Sequence, residues 1–432
     1  MSTSLVTAVI CLLAVVPSLT MADVVIELID GERMVVPVDS SKVKSIGFEK
    51  PRGDETSAST GENTAGASVE EQSSGVKVWR VGAARVLKNP SDAARKAQPG
   101  DIIEIDAGTY HNDYATWPQD DITIRGAGGL AHLKSKGLIP NRKAIWILKG
   151  NNILIENIEF SGAAVKDTNG AGIRHEGGDL TLRNTFFHDN EFSMLTGKRP
   201  GANIEISASR FWFQRRNNRF SHGIYIGPVG RFTLIGSHFK GTRGGHQVKS
   251  RAFENHLLYN RIEDVPGGDS SRLVDLPNCG LSFIVGNDLH QGADTQNFNA
   301  IGYGHEGCPQ RTAAQMRLYV VNNTFVNEAG RGTLVDNSAG GDAIVSNNLL
   351  VGSGRFLVGD GEQTSNVKID LTGRDEDRWY PPADSAAVDS AVKVAPVGSV
   401  SLIPIMEFNA PLGVRNRPQD GALDVGSREV AR

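Results

Sequence analysis

A short phrase recurs along the middle of the chain: apolar, any, apolar, any, Asn or Gly, any, any, Phe or Leu. Ile153 to Phe160 is one copy, with Asn157 at its centre. The eight centres are 157, 184, 208, 236, 260, 286, 322 and 347, of which 208 and 260 belong to looser copies. Successive centres lie 24 to 36 residues apart. A strand-like phrase repeated at this interval predicts a β-solenoid in which each repeat is one coil.

The residue types within the phrase explain why it would build a coil. Alternating apolar positions line the inner face of a strand. Asn and Gly tolerate the left-handed backbone of a tight corner, and Asn at successive corners can form a hydrogen-bonded ladder. The Phe or Leu three residues later returns to the core. An aromatic content of 6% and 49 glycines suit many short strands rather than a helical protein.

The first 75 residues differ in composition from the rest. The apolar run 5–19, followed by Thr20-Met21-Ala22, predicts a signal peptide over 1–22. Its proline and short length disfavour a membrane span. Two apolar runs around Asp30-Gly31 predict a small β-hairpin within 23–50, and 51–75, rich in Ser, Thr, Gly and Glu, predicts a disordered linker. We therefore expect a secreted or periplasmic protein whose main domain spans 76–432.

The main domain begins with a helical signal. Ser91 to Ala97 predicts a short helix with Ser91 as N-cap, and strands follow from Gly100. A helix here would cover the apolar end of the first coil. This stretch resembles the N-terminal cap of pectate-lyase-like right-handed β-helix proteins.

The C-terminal residues carry the same resemblance. Ser385 to Asp389, and Arg417-Pro418 with Asp424 to Gly426, resemble the closing segment of that family. The resemblance covers about 76 to 429. It implies an all-β fold: a right-handed parallel β-helix, a single-stranded solenoid with a short N-terminal capping helix. It does not specify an activity, because the superfamily includes lyases, hydrolases, epimerases and binding proteins.

Polar side chains are predicted to stack on one outer face of the solenoid. Tyr225, Lys249 and Asp275 are 24 and 26 residues apart, one coil each, and each lies between residues expected to point inward. They should therefore stack outward, about 4.8 Å apart. Arg251 shares the face of Lys249. His222, His246 and Arg272 each lie three residues before an outward residue and should stack beside the row.

Such a row suits cleavage of a uronate polymer by β-elimination. A cation neutralises the sugar carboxylate, a base removes the proton at C5, and an acid protonates the leaving oxygen. Lys249 is the expected base, because the neighbouring Arg251 disfavours its charged form. Arg251 or Arg272 would bind the carboxylate, Tyr225 or His222 would be the acid, and Asp275 would orient Lys249 or bind a hydroxyl. The expected catalytic residues are Lys249, Arg251, Tyr225 and His222.

Further residues are expected to bind substrate around this row. In the coil after Asp275, either Gly302 or Tyr303 could face outward, and Arg174, His175 and His305 are candidates for the rim. The expected substrate-binding residues are His246, Asp275, Arg272, Arg174, His175, Tyr303 and His305.

The resemblance also bears on cofactors. β-Helix lyases related to chondroitin and alginate lyases use a Lys base and an Arg on neighbouring strands, often with Ca²⁺. Here Lys249 and Arg251 share one strand, and no dense acidic cluster or His-Glu-x-x-His motif is present. The sequence therefore predicts no metal or other cofactor, with calcium left as an alternative.

Other functions remain open at this stage. A noncatalytic glycan-binding protein, a glycoside hydrolase or a C5-epimerase could use the same face. A net charge of -4 disfavours nucleic acid. From the cationic row we expect an acidic polysaccharide as partner, and we expect a monomer. Cys279 and Cys308, about one coil apart, could form a disulfide or remain two buried thiols.

Overall fold

The computed structural model describes residues 76–214, 221–266, 268–371, 376–419 and 421–430, and the backbone of three earlier strands. The chain divides into two compact units, Met1–Gln72 and Ser73–Arg432. In the first unit, Ala22–Glu27 pairs antiparallel with Arg33–Val38, and Val9–Ile10 pairs with Ala22–Glu27. Most of the predicted signal peptide and the whole predicted linker lie outside the described residues, so these boundaries stay predictions.

The second unit is a right-handed parallel β-helix with three sheet faces, which confirms the predicted fold class. Two faces adjoin at the repeat corner, and Ile102–His111 and Thr123–Lys134 run across both. The other strands of the first face are Val78–Val81, Ile153–Glu156, Leu180–Arg183, Arg199–Ser207, Val229–Ile235, Glu254–Leu258, Leu281–Val285, Leu318–Val321, Ala343–Ser346 and Glu362–Thr364. Those of the second face are Ile158–Ser161, Phe186–His188, Arg210–Trp212, His238–Lys240, Arg261–Glu263, Asp288–Gln291, Thr324–Asn327, Leu349–Gly352 and Val367–Ile369.

The third face is a separate ten-stranded parallel sheet. Its strands are Ala115–Trp117, Ala144–Leu148, Ala171–His175, Phe192–Thr196, Ile224–Ile226, Val248–Ser250, Val274–Leu276, Asn299–Tyr303, Thr333–Asn337 and Arg355–Gly359. Outside the three faces are the strand pair Met406–Phe408 and Val414–Asn416, and the 3-10 helices Ala313–Gln315 and Glu376–Trp379. Among the described residues, no helix is long and apolar enough to cross a membrane.

The corners between the first two faces fall where the repeat predicts them, with one exception. Seven of the eight predicted centres have φ between 44° and 67°. In the remaining coil the left-handed residue is Tyr259, with φ 56°, and not Asn260. That prediction was wrong by one residue because Asn260 lies in the ladder that follows the corner.

Two ladders of side-chain amides follow the corners. At the corner itself, Asn184 donates to Asn157 at 2.8 Å and Asn347 donates to Asn322 at 3.3 Å, as the repeat predicts. A longer ladder, which the repeat does not predict, lies one residue later, with N–O distances of 2.9 to 3.0 Å. Its members are Asn260, Asn287, Asn323, Asn348 and Asn366. Each amide also bonds backbone groups inside the coil, so the buried polar atoms are satisfied.

The Phe of the repeat phrase packs the core. Phe160, Phe187, Phe211 and Phe239 are fully buried and follow one another at centroid distances of 5.0, 5.2 and 4.3 Å. Burying one such ring contributes about 1.5–3 kcal/mol, and the ring pairs add about 0.5–1.5 kcal/mol each. The repeated aromatic position thus stabilises each coil against the next.

A short helix covers the first coil, although its start differs from the prediction. It spans Pro90–Ala94 with Asn89 as N-cap, so the expectation of Ser91 as N-cap was wrong. The Asn89 N–H donates to the Asp92 carboxylate at 3.1 Å, whereas the Ser91 N–H donates to Asp113. Pro at the first helical position needs no hydrogen-bond acceptor there, which favours the earlier start.

Two long-range links fix the later coils. Arg428 near the C-terminus binds the fully buried Asp288 at 2.5 Å, which ties the closing segment to the second face. Cys279 and Cys308 form a disulfide with a Cα–Cα distance of 5.3 Å. The open question about these cysteines is thereby resolved in favour of pairing, and the disulfide anchors the loop that follows Tyr303.

Candidate active site

The predicted outward row is present on the third face. Tyr225 pairs in register with Lys249, Lys249 with Asp275, and Asp275 with Gly302. The apolar neighbours Ile224 and Ile226 are fully buried, so the strand alternation turns the residue between them outward. Spacing by whole coils therefore placed the three side chains correctly.

Lys249 lies at the centre of a charged cluster. Its ammonium is 3.1 Å from Asp275 Oδ2 and 3.2 Å from Glu306 Oε1, and its side chain is 10% exposed. Asp275 is 2% exposed and is also bound by Arg272 at 3.2 Å. The sequence argument expected Arg251 beside Lys249 and Asp275 as a residue that orients it. The structure places Asp275, which is fixed in the sheet, in contact with Lys249 and adds a second carboxylate, Glu306, on an exposed loop.

Arg251 connects the tyrosine to that loop. Its Nε donates to the Tyr225 hydroxyl at 2.7 Å, and its Nη1 lies 2.7 Å from Glu306 Oε2 and also contacts Asn278. A guanidinium held by three partners is fixed in orientation, which suits recognition of a planar carboxylate.

Glu306 is the main residue of the cluster that the sequence analysis missed. Its carboxylate binds Lys249 and Arg251 together while its side chain remains 47% exposed. The hydrogen bond from Arg251, against a smaller effect of burial, lowers the pKa of Glu306. The only sequence signal was Cys308, since its disulfide to Cys279 holds the loop over the preceding coil.

His222 and His246 form a stacked pair beside the row. Their ring centroids are 4.9 Å apart with the planes 6° from parallel, and the backbone N–H of His246 donates to His222 Nδ1 at 3.0 Å. Burial lowers the pKa of His222 well below its usual value. Burial and the charge of Lys249 lower the pKa of His246 to about 3. Both rings are therefore neutral at pH 7, and the ring proton of His222 is on Nε2.

Arg272 and His305 flank the next coil around Gly302. A Cβ at Gly302 would lie 2.8 Å from Arg272 Nε and 3.0 Å from the His305 ring, so glycine leaves room for both side chains. Arg272 Nε is buried and has no hydrogen-bond partner within the described ranges. His305 Nε2 lies 3.3 Å from Asp336. This side of the row therefore offers a fixed cation with a spare donor.

Two predicted binding residues face the core instead. Tyr303 is fully buried and its hydroxyl donates to the Gly280 carbonyl at 2.9 Å. His175 is 1% exposed and its Nε2 bonds the Gly178 carbonyl at 2.7 Å. Neither side chain therefore faces substrate as expected. For Tyr303 the sequence left the register open, and a shift of one residue along a strand moves a side chain to the opposite face. His175 follows the outward Arg174 and so faces inward. Gly302 is the outward residue in its coil.

Arg174 faces outward but lies away from the cluster. It is in the same register row, two coils before Tyr225, with Leu195 between them. Its Nε is 3.7 Å from Glu176. The structure therefore brings Arg174 to the continuation of the face and not to the charged cluster.

A cavity of about 600 Å³ lies elsewhere, where the second face meets the closing segment. Its arginines are engaged by carboxylates: Arg261 and Arg428 by Asp288, and Arg415 by Glu407. These ion pairs attach the C-terminal segment to the solenoid. We therefore place the candidate active site on the third face and not in this cavity.

Comparison with known proteins supports the fold assignment. No family model and no curated protein matches the sequence. Among solved structures, an alginate lyase from Paenibacillus sp. str. FPU-7 is similar, with a TM-score of 0.50 and 15% sequence identity; the match covers 66% of this chain and 99% of the lyase. The pectate lyase Pel9A is also similar, with a TM-score of 0.54 and 15% sequence identity; that match covers 82% of this chain and 96% of Pel9A. The chain thus has the parallel β-helix fold of pectate-lyase-like proteins.

Proposed function

We propose that this protein is a polysaccharide lyase that cleaves an acidic, uronate-containing polysaccharide by β-elimination. The observation that carries the proposal is the binding of one exposed carboxylate, that of Glu306, by both Lys249 and Arg251. A uronate carboxylate has the same charge and planar shape, and it could replace Glu306 at these cations. Arg272, with its unpartnered Nε among the described residues, is a second donor within the same cluster.

The cluster supplies the three groups that β-elimination requires. Arg251 neutralises the uronate carboxylate and thereby acidifies the proton at C5. Lys249, once it has released a proton to solvent, takes the C5 proton, and the electron pair forms the C4–C5 double bond as the C4–O4 bond breaks. Tyr225 gives its phenolic proton to O4. The Arg251 Nε–H, 2.7 Å from the phenol oxygen, stabilises the charge left there.

His222 suits the acid role less well than Tyr225. Burial keeps its ring neutral at pH 7, and its Nδ1 already accepts the backbone N–H of His246. We assign His222 and His246 to binding sugar hydroxyls and to supporting the wall of the site. Asp275 holds Lys249 and Arg272 in place through its two oxygens.

The fold comparison and the disulfide are consistent with this proposal. The two solved structures similar in fold are named as an alginate lyase and a pectate lyase, at 15% identity. Disulfides persist in oxidising compartments, so the Cys279–Cys308 bond supports a secreted or periplasmic location. The expectation of no cofactor, with calcium as the alternative, and that of a monomeric state stay predictions.

A hydrolase is disfavoured by how the carboxylates of the cluster are used. Glycoside hydrolysis requires two carboxyl groups free to act as acid and as base or nucleophile. Here Asp275 is bound by Lys249 and Arg272, Glu306 by Lys249 and Arg251, and Asp336 by His305. We therefore treat hydrolase, C5-epimerase and noncatalytic binder as outcomes of the test.

The test is a panel of pectate, alginate, glycosaminoglycans and bacterial exopolysaccharides, each paired with its carboxyl-reduced form. We expect the absorbance of the conjugated C4–C5 double bond to rise with at least one native polymer and with none of the reduced ones. Reducing ends without that absorbance would indicate a hydrolase. Incorporation of solvent deuterium at C5 without shortening of the polymer would indicate an epimerase. Saturable binding of the polymer without turnover would indicate a noncatalytic binder. A parallel series with chelator tests calcium.

A further inference from the structure

Three side chains from consecutive coils converge on the second face, away from the charged cluster. They are His132, Glu159 and His188, and their ligand atoms all lie within 4.8 Å of one another. His132 pairs in register with Glu159, and His188 with Ser161 in the same strand as Glu159. His188 Nε2 is 2.9 Å and His132 Nε2 is 3.4 Å from the same oxygen, Glu159 Oε1. The proposed lyase chemistry uses none of these groups.

We propose that His132, Glu159 and His188 bind a divalent transition-metal ion of the Zn²⁺ type. Two imidazole nitrogens and one carboxylate oxygen suit zinc, whereas calcium takes six to eight oxygen ligands. A tetrahedral ion about 2.0–2.1 Å from each ligand atom keeps those atoms about 3.3–3.4 Å apart. The observed His–Glu separations of 2.9 and 3.4 Å lie close to that value, and the two histidine ligand atoms lie within 4.8 Å of each other, so the side chains would close around the ion.

The neighbours of the two histidines orient them for this role. Asp189 Oδ2 lies 2.7 Å from His188 Nδ1, which turns Nε2 towards Glu159. Metal-binding histidines usually donate their second ring N–H to a carboxylate or carbonyl in this way. Ser161 Oγ lies 2.7 Å from His132 Nε2, and the ion would replace this contact.

Access and charge also permit an ion. The three side chains are 17% to 21% exposed, so the ion can enter from solvent and keep one water ligand. Glu159 and Asp189 supply two negative charges to balance the dication. Because the ligands come from the strands Thr123–Lys134, Ile158–Ser161 and Phe186–His188, the ion would join three consecutive coils.

The competing explanation is a proton in place of the metal. Burial opposes charge on His188, but its hydrogen bonds to Glu159 and Asp189 outweigh that effect and raise the pKa of His188. An imidazolium could therefore bridge the two carboxylates by itself. The two explanations differ in whether the protein binds one metal ion per chain near pH 7.

The experiment uses tag-free protein, stripped with chelator and dialysed, then titrated with Zn²⁺ and separately with Ca²⁺. We expect one Zn²⁺ per chain, a thermal midpoint that rises with Zn²⁺ concentration, and no effect of Ca²⁺ on either readout. No polysaccharide is involved, so the result is independent of the proposed lyase activity. Absence of one-to-one Zn²⁺ binding, or equally tight Ca²⁺ binding, would overturn the proposal.

Three variants locate the site. His188→Gln should abolish one-to-one binding, and Asp189→Asn should weaken it about 10- to 100-fold, as loss of an orienting carboxylate does in known metal sites. His256→Gln is the matched control, since His256 also contacts a glutamate, Glu254 at 2.6 Å, but in no three-residue group among the described residues. Binding that survives His188→Gln, or that is lost equally in the control, would place the ion elsewhere and contradict the proposal.

Discussion

The Lys249 ammonium lies 3.2 Å from the Glu306 carboxylate, although 57 residues separate them in the chain. Asp275 is the second carboxylate of Lys249 and is fixed in the sheet, whereas Glu306 is on an exposed loop. Glu306 is thus the partner that can move, and it occupies the position that we assign to the substrate carboxylate.

Removing the charge of Glu306 should therefore improve substrate binding. We predict that Glu306→Gln lowers KM about 2- to 5-fold, since an exposed ion pair is worth about 0.2–1 kcal/mol, with little loss of kcat. Asp342→Asn is the control, because Asp342 forms an exposed ion pair with Arg317 away from the third face. A rise in KM, or a collapse of kcat, would show that Glu306 takes part in catalysis and does not merely compete with substrate.

The hydroxyl of Tyr225 should matter for turnover and not for folding. We predict that Tyr225→Phe lowers kcat about 10²- to 10⁴-fold, the usual contribution of a positioned acid, and leaves the unfolding midpoint nearly unchanged. Steady-state kinetics and thermal unfolding check the two parts. Tyr114→Phe, which removes a hydroxyl that contacts Ser135 on the first coil, should have no kinetic effect. Full activity in Tyr225→Phe would remove Tyr225 from the acid role.

The stacked phenylalanines should dominate the stability of individual coils. Phe211 lies between Phe187 and Phe239 and is fully buried, so we predict that Phe211→Ala lowers the free energy of unfolding by about 3–5 kcal/mol. Phe213 is 47% exposed, and Phe213→Ala should change the free energy of unfolding by less than about 0.5 kcal/mol. Urea denaturation measures both. Similar losses in the two variants would contradict the assignment of the core stack.

The neutral histidine pair should make the fold sensitive to acid. The pKa of His246 is about 3 in the folded protein against a usual 6.5, so only the unfolded chain binds this proton at intermediate pH. The stability from this group is complete above about pH 6.5 and is lost as pH falls towards 3. We compare the fall of the thermal midpoint between about pH 7 and about pH 4.5 in three proteins. We predict that this fall is smaller in His246→Gln than in the wild type. The control is His111→Gln, which changes an exposed histidine and should behave like the wild type. Equal falls in all three would contradict a neutral His246.

The sequence predicted the solenoid and its central row because whole-coil spacing maps directly onto register. Tyr225, Lys249 and Asp275 could be aligned from their spacing alone, since parallel strands in successive coils pair residue for residue. Where the register was ambiguous, the same logic failed. The spacing left open whether Gly302 or Tyr303 faces outward, and Tyr303 points inward, because a shift of one residue reverses the side of a strand. His175, expected at the rim, points inward as well.

Contacts made by loops and by neighbouring coils were not predictable from the repeat phrase. Glu306 comes from a loop whose position depends on the Cys279–Cys308 disulfide, and the sequence left that pairing open. His132, Glu159 and His188 follow no metal-binding motif, since they are 27 and 29 residues apart and meet only when coils stack. The longer asparagine ladder, which includes the bond from Asn260 to Asn287, lies one residue after the predicted corners.

The most direct test of the account is the rate of C4–C5 double-bond formation by Lys249 variants on whichever polymer the wild-type protein cleaves. Lys249→Ala removes both the charge and the base, whereas Lys249→Arg keeps the charge and removes the base, and Lys240→Arg on the second face is the control. We predict that both Lys249 variants lose at least about 10²-fold in kcat while the control keeps full activity. Activity retained by Lys249→Arg would show that Lys249 supplies only charge, and activity retained by Lys249→Ala would contradict the proposed site.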